Sequence, residues 1–264
     1  MPRRLFVLLP PSEGKEPGGS RAAKIGTFDT ELDAPRREVL AALGGLLDAG
    51  NSGDIEKTLR VHGALLERAI SSSRELTEHR ARLLPAWRRY SGVVWGHLDP
   101  ATLAGAQRRR ILVPSGLYGL TTAQDFIGDY RLKMNVVLSP LGGLATYWRT
   151  RITPVLVSHV AGASVVNLLP NEHAFAIDFT QLRTSCHLVN VRFVVEGEEV
   201  VAGHEAKAVK GILARHLLDQ GLGALDAFDW QGWRSDADAG SSRTVAPRVK
   251  VREVVIAFYG RTSS

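Results

Sequence analysis

A pattern of short apolar runs, three of which are followed after proline by polar or glycine residues, constrains the fold of this chain more than any other feature. The runs lie at residues 4–9, 111–113 and 163–169 and have the length of buried β-strands rather than of core helices. Helical patterns lie between them, so strands and helices alternate irregularly. We therefore predict an α/β (mixed α+β) protein, in which helices flank a central mixed sheet and a polar cleft lies at the strand ends.

Hydrophobic periodicity predicts further elements along the chain. Helical signals dominate from Asp33, the expected N-cap, to Tyr90, and a clear helix spans residues 205–220 with Gly221 at its end. A polar, Gly/Ser-rich stretch at 235–247 is expected to be a loop. The other expected elements are strands at 92–95, 130–138, 186–195 and 249–258, and helices at 101–110 and at 144–156, the last ending near Pro154.

Length and hydropathy narrow the class of protein. The 264 residues are 44% hydrophobic and 23% charged, which is typical of a globular chain with a substantial core. The apolar runs fall far short of the roughly 20 residues that cross a bilayer, and the first run is too short for a signal peptide. We expect a cytoplasmic monomer with a single domain over residues 1–264 and no membrane partner.

Charge favours an anionic partner, with nucleic acid as the first candidate. The formal net charge is +6, and a basic excess attracts phosphate. Much of that excess is arginine in an Ala/Gly-rich chain, a composition that genomic base bias alone also produces.

No cofactor and no metal site are expected. The chain has neither a G-x-G-x-x-G motif after its first strand nor a Walker A motif, and its eight histidines lack the spacing of zinc sites. Its one cysteine, Cys186, leads into an apolar run, so we interpret it as a buried thiol rather than a peroxide sensor.

The polar residues after the three apolar runs are the first candidates for a site. If the strands are parallel, their carboxyl ends share one edge of the sheet, where ligands bind in α/β proteins. The candidate side chains are Ser12, Glu13 and Lys15 after the first run, Ser115 and Tyr118 after the second, and Asn167, Asn171 and Glu172 after the third.

A fourth cluster lies at residues 125–134 and includes Asp125. Alternation along a strand places Tyr130 on one face and Arg131 with Lys133 on the other. Those two cations suit a clamp on phosphate or carboxylate, and the alternative is a pair of solvated charges on an exposed face.

Two further cations lie on the helix at 205–220. Lys207 and Lys210 are three residues apart and therefore share a surface. A lysine near the positive end of a helix dipole is unfavourable unless an anion is close, which indicates an anion site. The alternative is an ordinary solvated lysine.

Five segments resemble, in order, the motifs of the YaaA-like peroxide stress family. They cover the chain almost end to end, and the third includes the Tyr130–Met134 stretch. The segments are residues 9–15 (LPPSEGK), 90–99 (YSGVVWGHLD), 115–134 (beginning SGLYG), 166–172 (VNLLPNE) and 206–215 (AKAVKGILAR).

The resemblance implies a cytosolic protein that protects against hydrogen peroxide by limiting free iron and oxidative DNA damage. It also implies a mixed α/β fold with a positively charged cleft, a helix-hairpin-helix-like element and binding to DNA; residues 200–225, with Gly203, Gly211 and Gly221, are our best placement of that element. Five positions depart from the family pattern. Residues 121–123 (TTA) replace Leu-Arg-Pro, His173 replaces a tyrosine, and Lys210 replaces an arginine.

Two functions follow. The first is a DNA-binding stress protein without catalysis, in which the cations contact phosphates of double-stranded DNA. The second is an enzyme acting on a nucleobase, nucleotide or other small anion, with Glu172 or Glu13 as general acid/base and Lys15 or Lys207 as nucleophile or stabiliser. In that enzyme Tyr118 is a further catalytic candidate and Arg131 is the anion clamp. Nothing specific indicates a plain interaction module.

Overall fold

A computed structural model describes residues 3–21, 25–195, 203–246 and 249–258. Two short 3-10 helices lie at Pro100–Thr102 and Leu222–Ala227. The strands are β1 Leu5–Leu8, β2 Gly14–Lys15, β3 Leu84–Pro85, β4 Tyr90–Ser91, β5 Ile111–Ser115, β6 Gly119–Thr122, β7 Phe126–Ile127, β8 Val137–Leu138, β9 Gly142–Gly143, β10 Ser164–Asn167, β11 His187–Val195, β12 Asp229–Trp230, β13 Trp233–Ala246 and β14 Val249–Phe258. The helices are α1 Asp29–Ala49, α2 Ser52–Leu59, α3 Ala64–Thr77, α4 Ala86–Arg89, α5 Val93–Leu98, α6 Gly105–Arg108, α7 Leu144–His159, α8 Asn171–Ala174, α9 Phe179–Leu182 and α10 His204–Gln220.

The central sheet has eight strands in the order β12-β13-β14-β11-β10-β1-β5-β6. Its five inner strands, from β14 to β5, are parallel to one another. The pairs β5–β6 and β13–β14 are antiparallel. The predicted mixed sheet is therefore confirmed, and so is the parallel arrangement on which the predicted cleft depended.

Strands β1 and β5 are buried because their side chains are almost all apolar on both faces. All four residues of β1 and all five of β5 are buried. Continuous apolar runs of this kind are typical of parallel strands covered on both sides. The sheet and its helices form a single compact domain in the described residues, and its extension over residues 1–264 stays a prediction.

Four elements differ from the prediction. In the segment predicted as a helix at 101–110, only Gly105–Arg108 is an α-helix, after the 3-10 helix at Pro100–Thr102. Residues 93–98 form α5 rather than a strand, because a short apolar run has no decisive period and tertiary contacts decide its conformation. Residues 235–246 belong to β13 rather than to a loop, because β14 supplies ladder partners that composition does not reveal. Residue 247 lies outside the described part of the chain. In the segment 130–138 only Val137–Leu138 is a strand, yet burial alternates along it as predicted.

Helix boundaries also shift. Helix α1 begins at Asp29 rather than after Asp33, and Pro35 lies inside it. Helix α7 continues past Pro154 to His159. Helix α10 ends before Gly221 as predicted, but Gly211 lies within it and does not separate two helices. The part of the chain that the structure describes contains no helix long and apolar enough to span a membrane.

Candidate functional site

The loops after β1, β5 and β10 start side by side at one edge of the sheet. β1 lies between β10 and β5. The backbone N–H of Leu168 donates to the Leu8 carbonyl oxygen at 3.1 Å, and the N–H of Leu9 donates to the Leu112 carbonyl oxygen at 3.0 Å. The three polar segments that follow these strands therefore leave the sheet together.

Lys15 is the most unusual side chain of this region. It is 7% exposed, and its Nζ atom donates to the Ser12 carbonyl oxygen at 2.7 Å. Nζ also lies 4.1 Å from the ring centroid of Tyr130 and 5.6 Å from that of Tyr90. Burial, together with the charge of the nearby Arg131 guanidinium, lowers the pKa of Lys15 to about 7. The side chain is an amine that loses its proton near neutral pH.

A buried group of hydroxyls adjoins the lysine. The Tyr90 and Tyr130 hydroxyl oxygens are 2.8 Å apart, and the fully buried Ser115 side chain lies beside both. A Cβ atom at Gly116 would lie 2.5 Å from the Leu132 carbonyl oxygen, so glycine permits this close approach of the two loops. Burial raises the pKa of both tyrosines, which therefore keep their protons.

Asp129 connects the lysine to two guanidinium groups. It accepts a hydrogen bond from Arg131 Nη1 at 3.1 Å and one from Arg68 Nε at 2.8 Å. Arg68 Nη2 in turn donates to the Lys15 carbonyl oxygen at 2.7 Å. Arg131 is thereby fixed near Lys15, and burial lowers its pKa.

Two carboxylates lie among the cations, each with a partner. Glu13 forms an ion pair with Lys133 at 2.8 Å, and this hydrogen bond is the main cause of its lowered pKa. The Glu172 carboxylate lies 3.2 Å from His173 Nε2 and accepts a hydrogen bond from Asn135 Nδ2 at 3.3 Å. The pKa of Glu172 is lowered, mainly by His173.

Helix α10 brings the last two cations. Lys207 is exposed and acts electrostatically on Glu13, which places the start of α10 near the loop after β1. Lys210 is half-buried, with Nζ 5.5 Å from the Phe193 ring centroid. Burial lowers the pKa of Lys210 to about 8, and the like charge of Lys207 adds to that effect.

We call this set of predicted residues the strand-end cleft. They come from the loop after β1, the end of β5, the segment 130–133, helix α8 and helix α10. Its members are Ser12, Glu13, Lys15, Ser115, Tyr130, Arg131, Lys133, Glu172, Lys207 and Lys210.

Other predicted residues have partners that hold the fold. Asp125 accepts hydrogen bonds from the backbone N–H groups of Thr27, at 3.0 Å, and Thr122, at 2.7 Å. The Tyr118 hydroxyl accepts from the Gly128 N–H at 2.8 Å. These bonds fix loops, so neither side chain is brought to the amine of Lys15 by a contact of its own.

Two predicted asparagines differ in the same way. Asn167 Nδ2 donates to Asn190 Oδ1 at 3.1 Å, and Asn167 Oδ1 accepts from the Leu169 N–H at 3.1 Å. These contacts join β10 to β11 and fix the turn that follows. Asn171 is exposed at the start of α8.

The sequence analysis missed Tyr90, Arg68 and Asp129 as neighbours of Lys15. Tyr90 and Asp129 lie within or beside segments already noted for their motifs, so their positions were a usable signal. Arg68 lies on amphipathic helix α3, where a charged side chain has no distinguishing pattern. Cys186 is buried as predicted, and burial raises the pKa of its thiol to about 12.

Comparisons with known proteins agree on one family. The family model described as peroxide stress protein YaaA matches residues 5–239. A UPF0246 protein of Streptomyces coelicolor is 34% identical over 223 residues, which cover 82% of this chain and 84% of the relative. A UPF0246 protein of Bordetella petrii is 30% identical over 228 residues, which cover 81% of this chain and 89% of the relative.

Proposed function

The chain belongs to the peroxide stress protein YaaA family, and from this membership we propose that it acts in the peroxide response by binding DNA through the strand-end cleft. The proposed binding is to the phosphates of double-stranded DNA, and its proposed benefit is to limit iron-driven oxidative damage. The observation that supports it most is the pair of cations on α10, Lys207 and Lys210, neither of which forms an ion pair with a carboxylate among the described residues.

The charges of Lys207 and Lys210 favour an anion. Among the ion pairs of the described residues, neither lysine has a carboxylate partner, and the two lie one helical turn apart. The pKa of Lys210 is lowered by burial and by repulsion from the charge of Lys207. A phosphate between them would relieve that repulsion and restore the charged form. The start of α10 adds the positive end of a 17-residue helix.

The carboxylates limit where DNA can lie. Glu13 would repel a phosphate, but its pairing with Lys133 offsets its charge. The negative charge of Glu172 is partly offset by His173 only when that imidazole is protonated. We therefore expect the phosphate track to follow α10 and Arg131 rather than α8.

Fluorescence anisotropy of a labelled duplex, titrated at two salt concentrations, tests this function. Each phosphate contact contributes about −0.9 to the slope of log affinity against log salt. The double variant Lys207→Gln/Lys210→Gln should lower affinity and reduce the slope by about 2.

A charge-matched control is Arg37→Gln/Arg149→Gln, which removes two exposed cations from α1 and α7. Their ion-pair partners, Asp33 and Asp178, are not cleft residues. The control should keep the salt slope of the wild type. Absence of binding at low salt, or equal losses in both double variants, would contradict the proposal.

A second function is favoured by Lys15, which a phosphate-contacting surface does not need. This function is an enzyme acting on a nucleobase, nucleotide or other small anion in the same cleft. A buried amine near its pKa is a feature of catalytic lysines. Calorimetric titration with AMP and with inorganic phosphate tests it, and binding that Arg131→Gln abolishes would support it.

A further inference from the structure

The burial of Lys15 has a free-energy cost that packing alone does not explain. Its amine lies between two aromatic rings, and in the described residues no carboxylate pairs with it. Burying an ammonium group without a counter-ion is strongly unfavourable. Among the described residues its hydrogen bond is to the Ser12 carbonyl oxygen, and the neutral amine can also donate this bond. The position therefore suits an amine that is used in its neutral form.

Burial and two neighbouring cations favour the neutral form of the Lys15 amine. Arg131 has the strongest electrostatic effect on Lys15, and Arg89 acts in the same direction. Asp129 and Glu13 oppose them, but burial has the largest single effect, and the pKa of Lys15 is lowered overall. With a pKa of about 7, roughly half of the Lys15 amine has a free electron pair at neutral pH, about a thousandfold more than an ordinary lysine. Desolvation beside another cation is a known way to activate a lysine nucleophile.

Arg131 supplies a place for an anionic group near that amine. In the part of the chain that the structure describes, its hydrogen bonds to Asp129 and to the Tyr130 carbonyl oxygen all use Nη1. Nε and Nη2 are left for a ligand. A guanidinium edge of this kind binds carboxylate or phosphate through two parallel hydrogen bonds.

We propose that Lys15 forms an imine with an aldehyde or ketone whose phosphate or carboxylate group is bound by Arg131, an inference that rests on the second function above. The neutral Nζ attacks the carbonyl carbon, so a C–N bond forms and the carbonyl electron pair moves to oxygen. Both amine hydrogens then leave with that oxygen as water, and a C=N bond remains. No oxidant, reductant or cofactor is consumed.

The carbonyl compound must replace the hydrogen bond between Nζ and Ser12. The Ser12 backbone continues into Glu13 and Gly14, which are exposed. One short turn therefore separates the amine from solvent. The anionic carbonyl has two sources that share this chemistry, a small keto acid or sugar phosphate and the sugar aldehyde of an abasic site in DNA.

Borohydride trapping tests the proposal on the full chain. The protein is incubated at pH 7 with pyruvate, with acetone as a neutral comparison, or with a duplex containing one abasic site, and sodium borohydride then reduces any imine. Intact-mass and peptide analysis locate the adduct. For pyruvate we expect Lys15 to gain the mass of the probe less one oxygen atom, with at least tenfold higher yield than for acetone.

Three variants test the roles of single residues. Lys15→Met should give no adduct, and Arg131→Gln should reduce the adduct yield with pyruvate to that with acetone. Lys57→Met, at an exposed lysine of α2, should give the same adduct yield at Lys15 as the wild type. The acetone comparison in the wild-type protein tests the role of the anion even if Arg131→Gln misfolds. Trapping of the abasic duplex but not of pyruvate would support the imine and assign its source to DNA.

Two results would overturn the imine. One is no adduct at Lys15 with pyruvate or the abasic duplex in folded protein, and the other is equal labelling of all exposed lysines. If AMP binds by calorimetry while no adduct forms, the imine fails and the second function stands. If neither AMP nor inorganic phosphate binds and no adduct forms, both are wrong.

Discussion

The Nζ atom of Lys15 lies 4.1 Å from the centroid of the Tyr130 ring, and the Tyr130 hydroxyl lies 2.8 Å from that of Tyr90. A charged amine gains from the ring face by cation–π attraction. Full burial still favours the neutral amine, because the rings replace water poorly as a solvent for charge. The two tyrosines therefore hold an amine whose charge changes near neutral pH.

Lys15→Met should change how stability depends on pH. The pKa of Lys15 is lowered from 10.5 to about 7 on folding. Below pH 7 both states are protonated and the folded state bears the full cost of the buried charge. Between pH 7 and 10.5 only the unfolded state binds the proton, so the free energy of unfolding rises with pH, by about 5 kcal/mol at most.

Urea unfolding of both proteins at pH 6 and pH 9 measures this effect. We expect Lys15→Met to be more stable than the wild type at pH 6 by a few kcal/mol and the difference to shrink at pH 9. Lys57→Met should follow the wild type within about 0.5 kcal/mol at both pH values. A Lys15→Met curve parallel to the wild type would show that Lys15 does not titrate in this range.

Arg89→Met should destabilise the fold strongly. The Arg89 side chain is 1% exposed. It donates to the carbonyl oxygens of Gly18 at 2.9 Å and Arg82 at 2.8 Å, and also to those of Glu16 and Ile127. Removing a buried donor leaves these acceptors unsatisfied, so we expect a loss of at least about 3 kcal/mol in urea unfolding.

The neighbouring Arg88→Met is the matched control, because Arg88 is exposed on the same short helix. It should change the free energy of unfolding by no more than about 0.5 kcal/mol. Equal effects of the two substitutions would mean that the four carbonyl oxygens do not depend on Arg89.

Gly211→Ala should separate α10 from α5. A Cβ atom at Gly211 would lie 2.3 Å from the Val94 carbonyl oxygen, so the helices must move apart. We expect a loss of about 1–3 kcal/mol and weaker DNA binding, because α10 carries Lys207 and Lys210. Gly45→Ala in α1 is expected to stabilise the fold instead. Nothing lies within 4 Å of a Cβ atom at Gly45, and alanine favours the helix by up to about 1 kcal/mol. Thermal and urea unfolding compare the two, and stabilisation by both alanines would contradict the tight α10–α5 contact.

The sequence predicted the sheet where burial alone determines the conformation. The strands at 111–113 and 163–169 agree with β5 and β10 because parallel strands covered on both faces need continuous apolar runs. The strand at 249–258 agrees with β14. The prediction failed for α5 and β13. The conformation of α5 depends on α10, which is distant in sequence, and that of β13 depends on its ladder with the next strand, β14.

The candidate site was predicted in part for the same reason. Lys15, Ser115 and Arg131 were found because each follows a recognisable strand or motif. Their arrangement around the amine was not, since it depends on Asp129, which binds Arg131 and Arg68 at once. Asp125 shows the converse. Its residue type suggested a ligand contact, but its oxygens bind Thr27 and Thr122.

DNA affinity, if the proposed function holds, should fall as pH rises through about 8. Burial and the charge of Lys207 lower the pKa of Lys210 to about 8, so Lys210 is mostly charged at pH 7 and mostly neutral at pH 9. Backbone phosphates keep their charge over this range, so one contact is lost. We expect anisotropy at fixed ionic strength to show that DNA affinity is about three- to tenfold lower at pH 9 than at pH 7. A bound phosphate raises the pKa of Lys210, so the midpoint of Lys210 titration in the complex lies above 8.

Lys210→Arg isolates the responsible group. Arginine stays protonated at pH 9, so the variant should bind at both pH values with nearly equal affinity. Lys15→Met, which removes the other amine of low pKa in the strand-end cleft, should keep the decline of the wild type if Lys210 causes it. A decline that persists in Lys210→Arg and disappears in Lys15→Met would assign the pH dependence to Lys15 and move the phosphate track from α10 toward the loop after β1.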